Sequence, residues 1–410
     1  MSKQKTNEER QREDRRRRRF WNAVLPGVQS WVRLKFGFEM EAFRPQDIEG
    51  PVLVAINHAS AYDPLFVGAA FRYKPLTFIA SEHLMRSKWG PFLEKYASII
   101  PHQKGAKSSR TALVALKRIK RGESIFLAVE GEQTWDGRPL PVMPYTGKLV
   151  RGSGATLVTY LIEGAYLSAP RWSFARRKGK VYGHPAGVYG PEVLKDMTDE
   201  EVEALIAKDL AFDTWEWQKT RPDGPVRYKC VKGGNADGLE RLVFTCPECG
   251  VFGTLRSQGD SISCGCGFRL RMEDTGFFET AEPFETVCDW EDFDRMKLED
   301  RMSAARRAAG EDEIFADDAV VLHRIEEGHS DEEAARGRLS LRFSEGAFRL
   351  SIGEFSSDLE GISNMTMVLA GRVVFSDGSG YYELLSEKGS RTNLRKYVIA
   401  WEVSKEISKE

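Results

Sequence analysis

The sequence predicts an α/β domain with a mixed, largely parallel sheet flanked by helices, followed by a small cysteine module and a mainly β, barrel-like domain with a terminal helix. Three observations support this fold class. Between about residues 51 and 225, short apolar runs alternate with helical stretches. Four of the six cysteines fall within 21 residues, and residues 319–385 show many short alternating strands with turn signals. We expect four segments: a basic, amphipathic N-terminal segment (1–36), the α/β domain (37–225), the cysteine module (240–280) and a helix followed by the β-rich domain (285–410).

Length and charge limit the class of protein. A chain of 410 residues is too long for one ordinary core. The formal net charge of −1, from 60 basic and 61 acidic residues, gives no general basic excess that would favour a nucleic-acid partner. No apolar run approaches the roughly 18–20 residues that span a bilayer, and the first twenty residues lack the apolar stretch of a signal peptide. We therefore expect a cytoplasmic protein, either free or resting on a membrane surface.

The N-terminal segment combines a basic cluster with an apolar stripe. Arginines at 10, 12 and 15–19 precede apolar residues at helical spacing, which are Trp21, Val24, Leu25, Val28, Trp31 and Val32. This combination suits an amphipathic helix in the headgroup zone of an anionic membrane. The alternative is a helix that packs on its own domain, preceded by a solvated arginine run.

Within the α/β domain, three apolar runs predict buried strands at residues 51–56, 124–129 and 156–162. The segment 110–121 predicts a helix between two of them. A closing helix is expected at 198–219, because Thr198 is a plausible N-cap and acidic residues follow it in the first turn. Residues 221–238 are rich in glycine and proline and predict a linker.

The loop from Asn57 to Asp63 directly follows the first predicted strand. Its histidine and aspartate, His58 and Asp63, can face each other across one turn of a loop-to-helix junction. The carboxylate would fix the tautomer of the imidazole and stabilise the imidazolium that forms on proton transfer. If the attacking hydroxyl belongs to a substrate, His58 can take its proton and no serine or cysteine nucleophile is needed. The alternative is a satisfied polar pair at the start of a helix.

The same loop resembles the signature Asn-His-x-Ser-x-x-Asp of the 1-acylglycerol-3-phosphate acyltransferase family, with matches at Asn57, His58, Ser60 and Asp63. About seventy residues later, the pair at 130 and 131 is similar to the Glu-Gly block of the family, and the basic residue at 104 stands where the family has a phosphate-binding arginine. The resemblance covers roughly residues 40–220. It implies that His58 is the general base and that Asp63 orients it. The residues that it assigns to substrate binding are Asn57, Ser60, Lys104, Glu130 and Gly131.

The sequence departs from the family in the Glu-Gly block, which lacks the proline and the Thr-Arg pair. At position 104 a lysine offers phosphate a point charge rather than a bidentate fork. The identity of the acceptor therefore stays open, and Arg110, Lys148 and Arg171 are further basic candidates, although each also fits a surface or packing role. The oxyanion of acyl transfer would need donors, either backbone N–H groups of the 57–63 loop or that of Gly131. Ser60 fits a helix cap as well.

The resemblance implies the reaction: a fatty acyl group passes from a thioester of coenzyme A or acyl carrier protein to 1-acylglycerol 3-phosphate, giving phosphatidic acid without a catalytic cofactor. One alternative is transfer to another lipid or glycolipid acceptor. Another is an inactive scaffold with this fold that binds membrane or protein partners. We expect peripheral association with the inner face of the cell membrane through the N-terminal amphipathic helix.

The cysteine module contains two short knuckles, each followed by glycine. Four thiolates at this spacing predict one tetrahedral, structural zinc site, and the ligands are Cys246, Cys249, Cys264 and Cys266. The pattern resembles a zinc ribbon, with one residue instead of two between the second pair of cysteines. Ribbons often bind nucleic acid, but this one is balanced in charge, so we expect no nucleic-acid partner. Beyond it, the predicted helices at 290–309 and 393–407 enclose strands that suggest a pleckstrin-homology-like barrel, whose ligand the sequence does not indicate.

Overall fold

The computed structural model describes residues 7–86, 90–102, 109–308, 310–325 and 331–408. The described chain divides into two compact units. The N-terminal unit runs to Tyr228 without the segment Arg171–Arg176, and the C-terminal unit contains that segment and the residues from Lys229 onward. The four segment boundaries expected from the sequence stay predictions.

The N-terminal unit alternates strands and helices. Its elements are α1 (Asn7–Phe36), β1 (Phe38–Met40), β2 (Val52–Ile56), α2 (Asp63–Ala70), β3 (Leu76–Ser81), α3 (Glu82–Arg86), α4 (Gly90–Tyr96), β4 (Ser98–His102), α5 (Ser109–Ile119), β5 (Ser124–Ala128), α6 (Thr146–Ser153), β6 (Thr156–Glu163), α7 (Ala165–Ser168), β7 (Arg177–Lys178), β8 (Val181–Tyr189), α8 (Pro191–Lys195), α9 (Asp199–Asp209) and α10 (Thr214–Lys219).

A seven-stranded sheet in the order β1-β8-β6-β2-β5-β3-β4 forms the centre of this unit. Neighbouring strands are parallel except β6 and β8, which are antiparallel. The central strand β2 is buried along its whole length, as expected for a parallel strand covered by helices on both faces. The predicted α/β fold class is confirmed. Since β2 and β5 run in parallel, the loops that follow them meet at the same edge of the sheet, where ligands of such sheets bind.

One prediction about local structure is wrong. The helix expected over 198–219 is interrupted between α9 and α10, because the Asp213 side chain accepts hydrogen bonds from the N–H groups of Trp215 and Glu216 and starts a new helix. The predicted N-cap at Thr198 is correct and forms a capping box. The linker expected over 221–238 stays a prediction; within it, Tyr228 is buried and donates a hydrogen bond to Lys180 O (2.8 Å).

Helix α1 packs on the N-terminal unit with only part of its apolar stripe. Leu25 and Val32 are buried, and the Trp21 ring lies 5.8 Å from that of Phe78. Trp31 remains 36% exposed. The packed-helix alternative therefore accounts for the buried side of the stripe. None of the helices described is long and apolar enough to span a membrane.

The C-terminal unit contains a small three-stranded sheet and a larger antiparallel one. Its elements are β9 (Lys229–Cys230), β10 (Arg256–Gln258), β11 (Ser261–Ser263), β12 (Arg269–Arg271), α11 (Val287–Ala308), β13 (Asp312–Ile325), β14 (Asp331–Ser344), β15 (Ala347–Ile352), β16 (Phe355–Asp358), β17 (Asn364–Leu369), β18 (Arg372–Asp377), β19 (Gly380–Ser386) and α12 (Arg395–Ile407).

The larger sheet has the order β16-β15-β14-β13-β19-β18-β17 and is rolled up. The Phe355 ring on β16 lies 4.9 Å from that of Tyr382 on β19, and Ser357 donates a hydrogen bond to Asp377 on β18 (2.9 Å). These contacts join strands from opposite halves of the sheet. Helix α12 follows, and its Trp401 donates a hydrogen bond to Ile362 O (3.0 Å). The predicted barrel-like β domain with a terminal helix is confirmed.

Candidate active site

The loop after β2 is fixed to the next strand of the sheet by Asn57. Its side-chain amide donates to Ile162 O and its side-chain oxygen accepts from Ile162 N, both at 2.9 Å. These two hydrogen bonds resemble those between neighbouring strands of a sheet, so they fix the loop at the end of β2. Asn57 is buried, which gives it a structural role beside any contact with a substrate.

His58 and Asp63 are in direct contact. The imidazole Nδ1 lies 2.9 Å from Asp63 Oδ2, and the same oxygen accepts hydrogen bonds from the N–H groups of Ala59 (2.9 Å) and Ser60 (3.0 Å). Asp63 is fully buried, whereas a quarter of the His58 side chain is exposed. With Nδ1–H donating to the carboxylate, the lone pair of Nε2 is the one that a substrate can reach.

The Asp63 carboxyl is held by opposing effects. Burial raises its pKa above the ordinary value, while the hydrogen bond and charge of His58 and the N–H groups of Ser60 and Ala59 lower it. In the described residues its second oxygen, Oδ1, has no hydrogen-bond partner. The hydrogen bonds of the Asp63 carboxylate therefore all involve Oδ2, the oxygen that faces the imidazole.

The Glu-Gly block lies beside the histidine, because β5 runs parallel to β2. The Glu130 carboxylate accepts a hydrogen bond from the backbone N–H of His58 (3.1 Å). Burial raises the pKa of Glu130 to about 7, the N–H groups of His58 and Leu140 oppose this shift, and the charge of Asp63 adds to it. Gly131 has a φ of +69°, and a Cβ there would lie 2.3 Å from the sulfur of Met143, so a larger residue at this position would be strained.

Ser60 and the proposed oxyanion donors are already engaged. The Ser60 hydroxyl accepts from Tyr62 N (3.1 Å), which is a local turn interaction rather than a contact with the imidazole. The N–H groups of His58, Ala59 and Ser60 donate to carboxylates, and that of Gly131 donates to Ala128 O (3.1 Å). In this conformation those N–H groups do not offer an oxyanion hole.

A small recess of about 10 Å³ adjoins His58, and its lining includes three residues that the sequence analysis did not single out. They are Thr134, Arg138 and Phe212. Arg138 follows Glu130 by eight positions, so its closeness to the altered Glu-Gly block could have identified it as a candidate binding residue from the sequence. Its Nε donates to Asp136, a buried carboxylate. Phe212 carries no such signal, since it comes from a distant part of the chain.

The other basic candidates from the sequence are Lys104, Arg110, Lys148 and Arg171. Lys104 is outside the described residues. Arg110 on α5 and Lys148 on α6 are exposed. Arg171 belongs to the C-terminal unit, where it donates a hydrogen bond to Met367 O (2.9 Å).

The four cysteines of the ribbon come together in the C-terminal unit. Their sulfur atoms all lie within 4.8 Å of one another. Cys246 and Cys266 have sulfurs 3.6 Å apart, and those of Cys249 and Cys264 are 3.9 Å apart. A tetrahedron with metal–sulfur bonds of about 2.3 Å has edges of roughly 3.8 Å, so the donor set fits one zinc ion.

Helix α11 holds the first knuckle of this cluster. The N–H groups of Phe244 and Thr245 donate to the two oxygens of Asp294 (2.9 and 2.8 Å), and Trp290 donates to Thr245 O (2.9 Å). Burial raises the pKa of Asp294 to about 8, against the hydrogen bonds that it accepts. The cluster is thus supported by a helix that the sequence placed in the following segment.

The parallel sheet, the buried aspartate and the imidazole with a reachable Nε2 suit acyl transfer to an external hydroxyl, and the chain contains an acyltransferase domain. Residues 36–163 match the protein family described as Acyltransferase, which confirms the predicted relationship. Among solved structures, the chain is similar to the 1-acyl-sn-glycerophosphate (LPA) acyltransferase PlsC from Thermotoga maritima, with 18% sequence identity and a TM-score of 0.42. That alignment covers 49% of this chain and 82% of the other.

Proposed function

We propose that the protein transfers a fatty acyl group from an acyl thioester of coenzyme A or acyl carrier protein to 1-acylglycerol 3-phosphate, forming phosphatidic acid. The observation that carries this proposal is the 2.9 Å contact between His58 Nδ1 and Asp63 Oδ2, within the segment that matches the acyltransferase family. The carboxylate is buried and the imidazole is partly exposed, as a general base for an external hydroxyl requires.

In the proposed mechanism, His58 Nε2 takes the proton of the acceptor hydroxyl while the hydroxyl oxygen attacks the thioester carbonyl carbon. Asp63 keeps Nδ1 protonated and stabilises the imidazolium. When the tetrahedral intermediate collapses, the C–S bond breaks and the leaving thiolate takes the proton from Nε2. The products are the ester and the free thiol, and the enzyme returns to its starting state.

The acceptor head group carries a phosphate, and Arg138 is a basic residue near His58 that suits it. We assign phosphate binding to Lys104, as the family resemblance suggests, together with Arg138 beside the recess. Glu130 has two roles in this proposal: it anchors the backbone of His58, and it helps to position the glycerol part of the acceptor. Asn57, Ser60 and Gly131 act mainly by fixing the two loops.

We further propose that Cys246, Cys249, Cys264 and Cys266 hold a zinc ion whose role is to stabilise the fold. All four positions of the tetrahedron are filled by thiolates, so no position remains for a substrate. The ribbon would then need the metal for its stability, because the three strands β10–β12 are short.

Membrane association is the third part of the proposal. On α1, Leu34 is 70% exposed and Trp31 is 36% exposed. The Trp31 ring lies 6.2 Å from the ring of Tyr62, which belongs to the His58 loop. Apolar residues beside the catalytic loop suit an acceptor that comes from a bilayer, and we place the protein at the inner face of the cell membrane.

The test is acyl transfer from a long-chain acyl-coenzyme A to lysophosphatidic acid with vesicles present, comparing the wild type with His58→Ala. We expect phosphatidic acid from the wild type and a loss of most turnover in the variant, with an unchanged far-ultraviolet circular dichroism spectrum. Wild-type rates in the variant would contradict the mechanism. Activity on an acceptor without phosphate, but not on lysophosphatidic acid, would show instead that another lipid is the acceptor.

A further inference from the structure

A second cavity of the N-terminal unit lies at the edge of the sheet where β2, β3 and β5 begin. Its volume is about 300 Å³, and its lining includes Gly50 before β2, Pro75 before β3 and Gly122 before β5. His58 follows the opposite end of β2, whose five residues at about 3.3 Å each separate the two edges by roughly 16 Å. The cavity is therefore distinct from the recess beside the histidine.

Positive side chains dominate this cavity, and we call them its basic lining: Arg17, Arg18, Lys74 and Arg121. Within the described chain, Glu123 is the single acidic residue of the lining. Its carboxylate already accepts hydrogen bonds from Thr77 (3.0 Å) and from Arg118 (3.4 Å). One engaged carboxylate faces four cations, so the cavity has an excess of positive charge.

Among the described residues, one guanidinium group of the basic lining has a donor without a partner. In the part of the chain that the structure describes, the buried Nε of Arg17 has no hydrogen-bond partner. Burial lowers the pKa of Arg118 next to the cavity; Glu123 raises it, and the charges of Arg17 and Arg121 lower it further. Crowded cations and an unpaired buried donor both cost stability, and an anion in the cavity would relieve both.

The shape and the donors indicate which anion fits. Guanidinium groups match the oxygens of phosphate with paired, parallel hydrogen bonds. Lys74 is held in place, because its Nζ donates to Ile48 O (2.6 Å). A volume of about 300 Å³ lies at the lower end of small-molecule pockets, which leaves room for a phosphate on a small polar body. A doubly charged phosphate would balance most of the excess charge.

We propose that this cavity binds a phosphate monoester between Arg17 and Arg18 of α1 and Arg121 of the turn before β5. Since these residues come from two elements far apart in sequence, the bound phosphate fixes the arginine-rich part of α1 against the sheet. The site is independent of the acyl transfer at His58, and its ligand is either a soluble phosphate ester or the head group of an anionic lipid.

The first experiment is isothermal titration calorimetry of the full chain with inorganic phosphate and with glycerol 3-phosphate at constant ionic strength. Arg121→Gln should weaken binding by about tenfold or more, as the loss of a charged hydrogen bond does. Its matched control is Lys120→Gln, because Lys120 is the exposed neighbour of Arg121 and does not line the cavity. On α1, Arg17→Gln should weaken binding, whereas Arg12→Gln should not. Thermal melts of all four variants check that they fold.

Further measurements separate this site from the proposed acceptor site and identify the source of the phosphate. Lys104→Gln should leave the Arg121-dependent binding unchanged. Vesicles with phosphatidic acid that bind more tightly than vesicles with phosphatidylglycerol, in an Arg121-dependent manner, would identify a lipid head group. Binding of glycerol 3-phosphate alone would identify a soluble ester. Equal weakening by Lys120→Gln and Arg121→Gln, or no binding of any phosphate at millimolar concentration, would overturn the proposal.

Discussion

Replacing Asp63 by asparagine tests the proposed His58–Asp63 pair most directly. The change keeps the size of the side chain and removes its charge. In the wild type, Asp63 Oδ2 accepts hydrogen bonds from the imidazole and from the N–H groups of Ala59 and Ser60. An asparagine oxygen can occupy the same position, so the loop should keep its conformation.

The expected decrease in kcat depends on which atom of the asparagine amide faces the imidazole. A hydrogen bond to a charged group contributes roughly 1 kcal/mol more than a neutral one, which corresponds to a decrease in kcat of about fivefold to tenfold. If the amide instead turns its NH₂ towards Nδ1, the His58 ring must adopt the other tautomer, Nε2 carries the proton, and the loss approaches about 10⁴-fold. We therefore expect a kcat between roughly fivefold and 10⁴-fold below that of the wild type.

The assay measures phosphatidic acid formed from acyl-coenzyme A and lysophosphatidic acid, with the melting temperature determined in parallel. Asp209→Asn is the matched control, since Asp209 also accepts hydrogen bonds from two side chains, those of Thr159 (2.6 Å) and Tyr189 (2.9 Å). It should change stability without a comparable change in kcat. An Asp63→Asn variant within twofold of the wild type, or an equal loss in the control, would refute the assigned role.

Three further predictions concern pH, metal and membrane. Because burial raises the pKa of Glu130 from 4.5 to about 7, the contribution of Glu130 to the stability of the wild type should fall by at most about 3 kcal/mol as pH rises from 4.5 to 7. Glu130→Gln does not titrate, so its melting temperature relative to the wild type should rise over this range and level off above pH 7; a constant difference would contradict the shift. Cys264→Ser should reduce bound zinc, measured by mass spectrometry, and lower the melting temperature, whereas Cys230→Ser should retain the metal. Leu34→Ser should weaken co-sedimentation with anionic vesicles severalfold, and an equal effect of Leu113→Ser, another exposed leucine, would argue against α1 as the contact.

The strands and the loop from Asn57 to Asp63 were predictable because their signals are local. The apolar run ending at Ile56 and the polar residues that follow it determine a buried strand and a loop at its carboxyl end. The four clustered cysteines were likewise predictable from spacing alone. In each case the residues that contact one another are close in sequence, so their spacing is enough to predict the contact.

The interactions that escaped prediction join residues far apart in the chain. Asn57 pairs with the backbone of Ile162, 105 positions away, and nothing in either segment indicates that partner. Asp294 of α11 holds the first cysteine knuckle from 49 positions away. The break before α10 was missed because the apolar pattern continues through it, although Asp213 is a good N-cap. Such contacts depend on how the elements pack together, and the spacing of apolar residues along the chain does not predict this packing.

The altered Glu-Gly block bears on acceptor choice more than on chemistry. The Glu130 carboxylate accepts a hydrogen bond from the backbone N–H of His58, and Thr134 N donates one to His58 O (3.0 Å), so the block fixes the backbone of His58 on both sides. Neither contact needs the missing Thr-Arg pair of the family. The loss of that pair removes an arginine that could bind a phosphate through two parallel hydrogen bonds. Arg138 lies at another position in the sequence, and its Nε donates a hydrogen bond to Asp136. Because the proposed base and its support are kept while the phosphate contacts differ from those of the family, activity assays should start from lysophosphatidic acid and vary the acceptor head group before the donor.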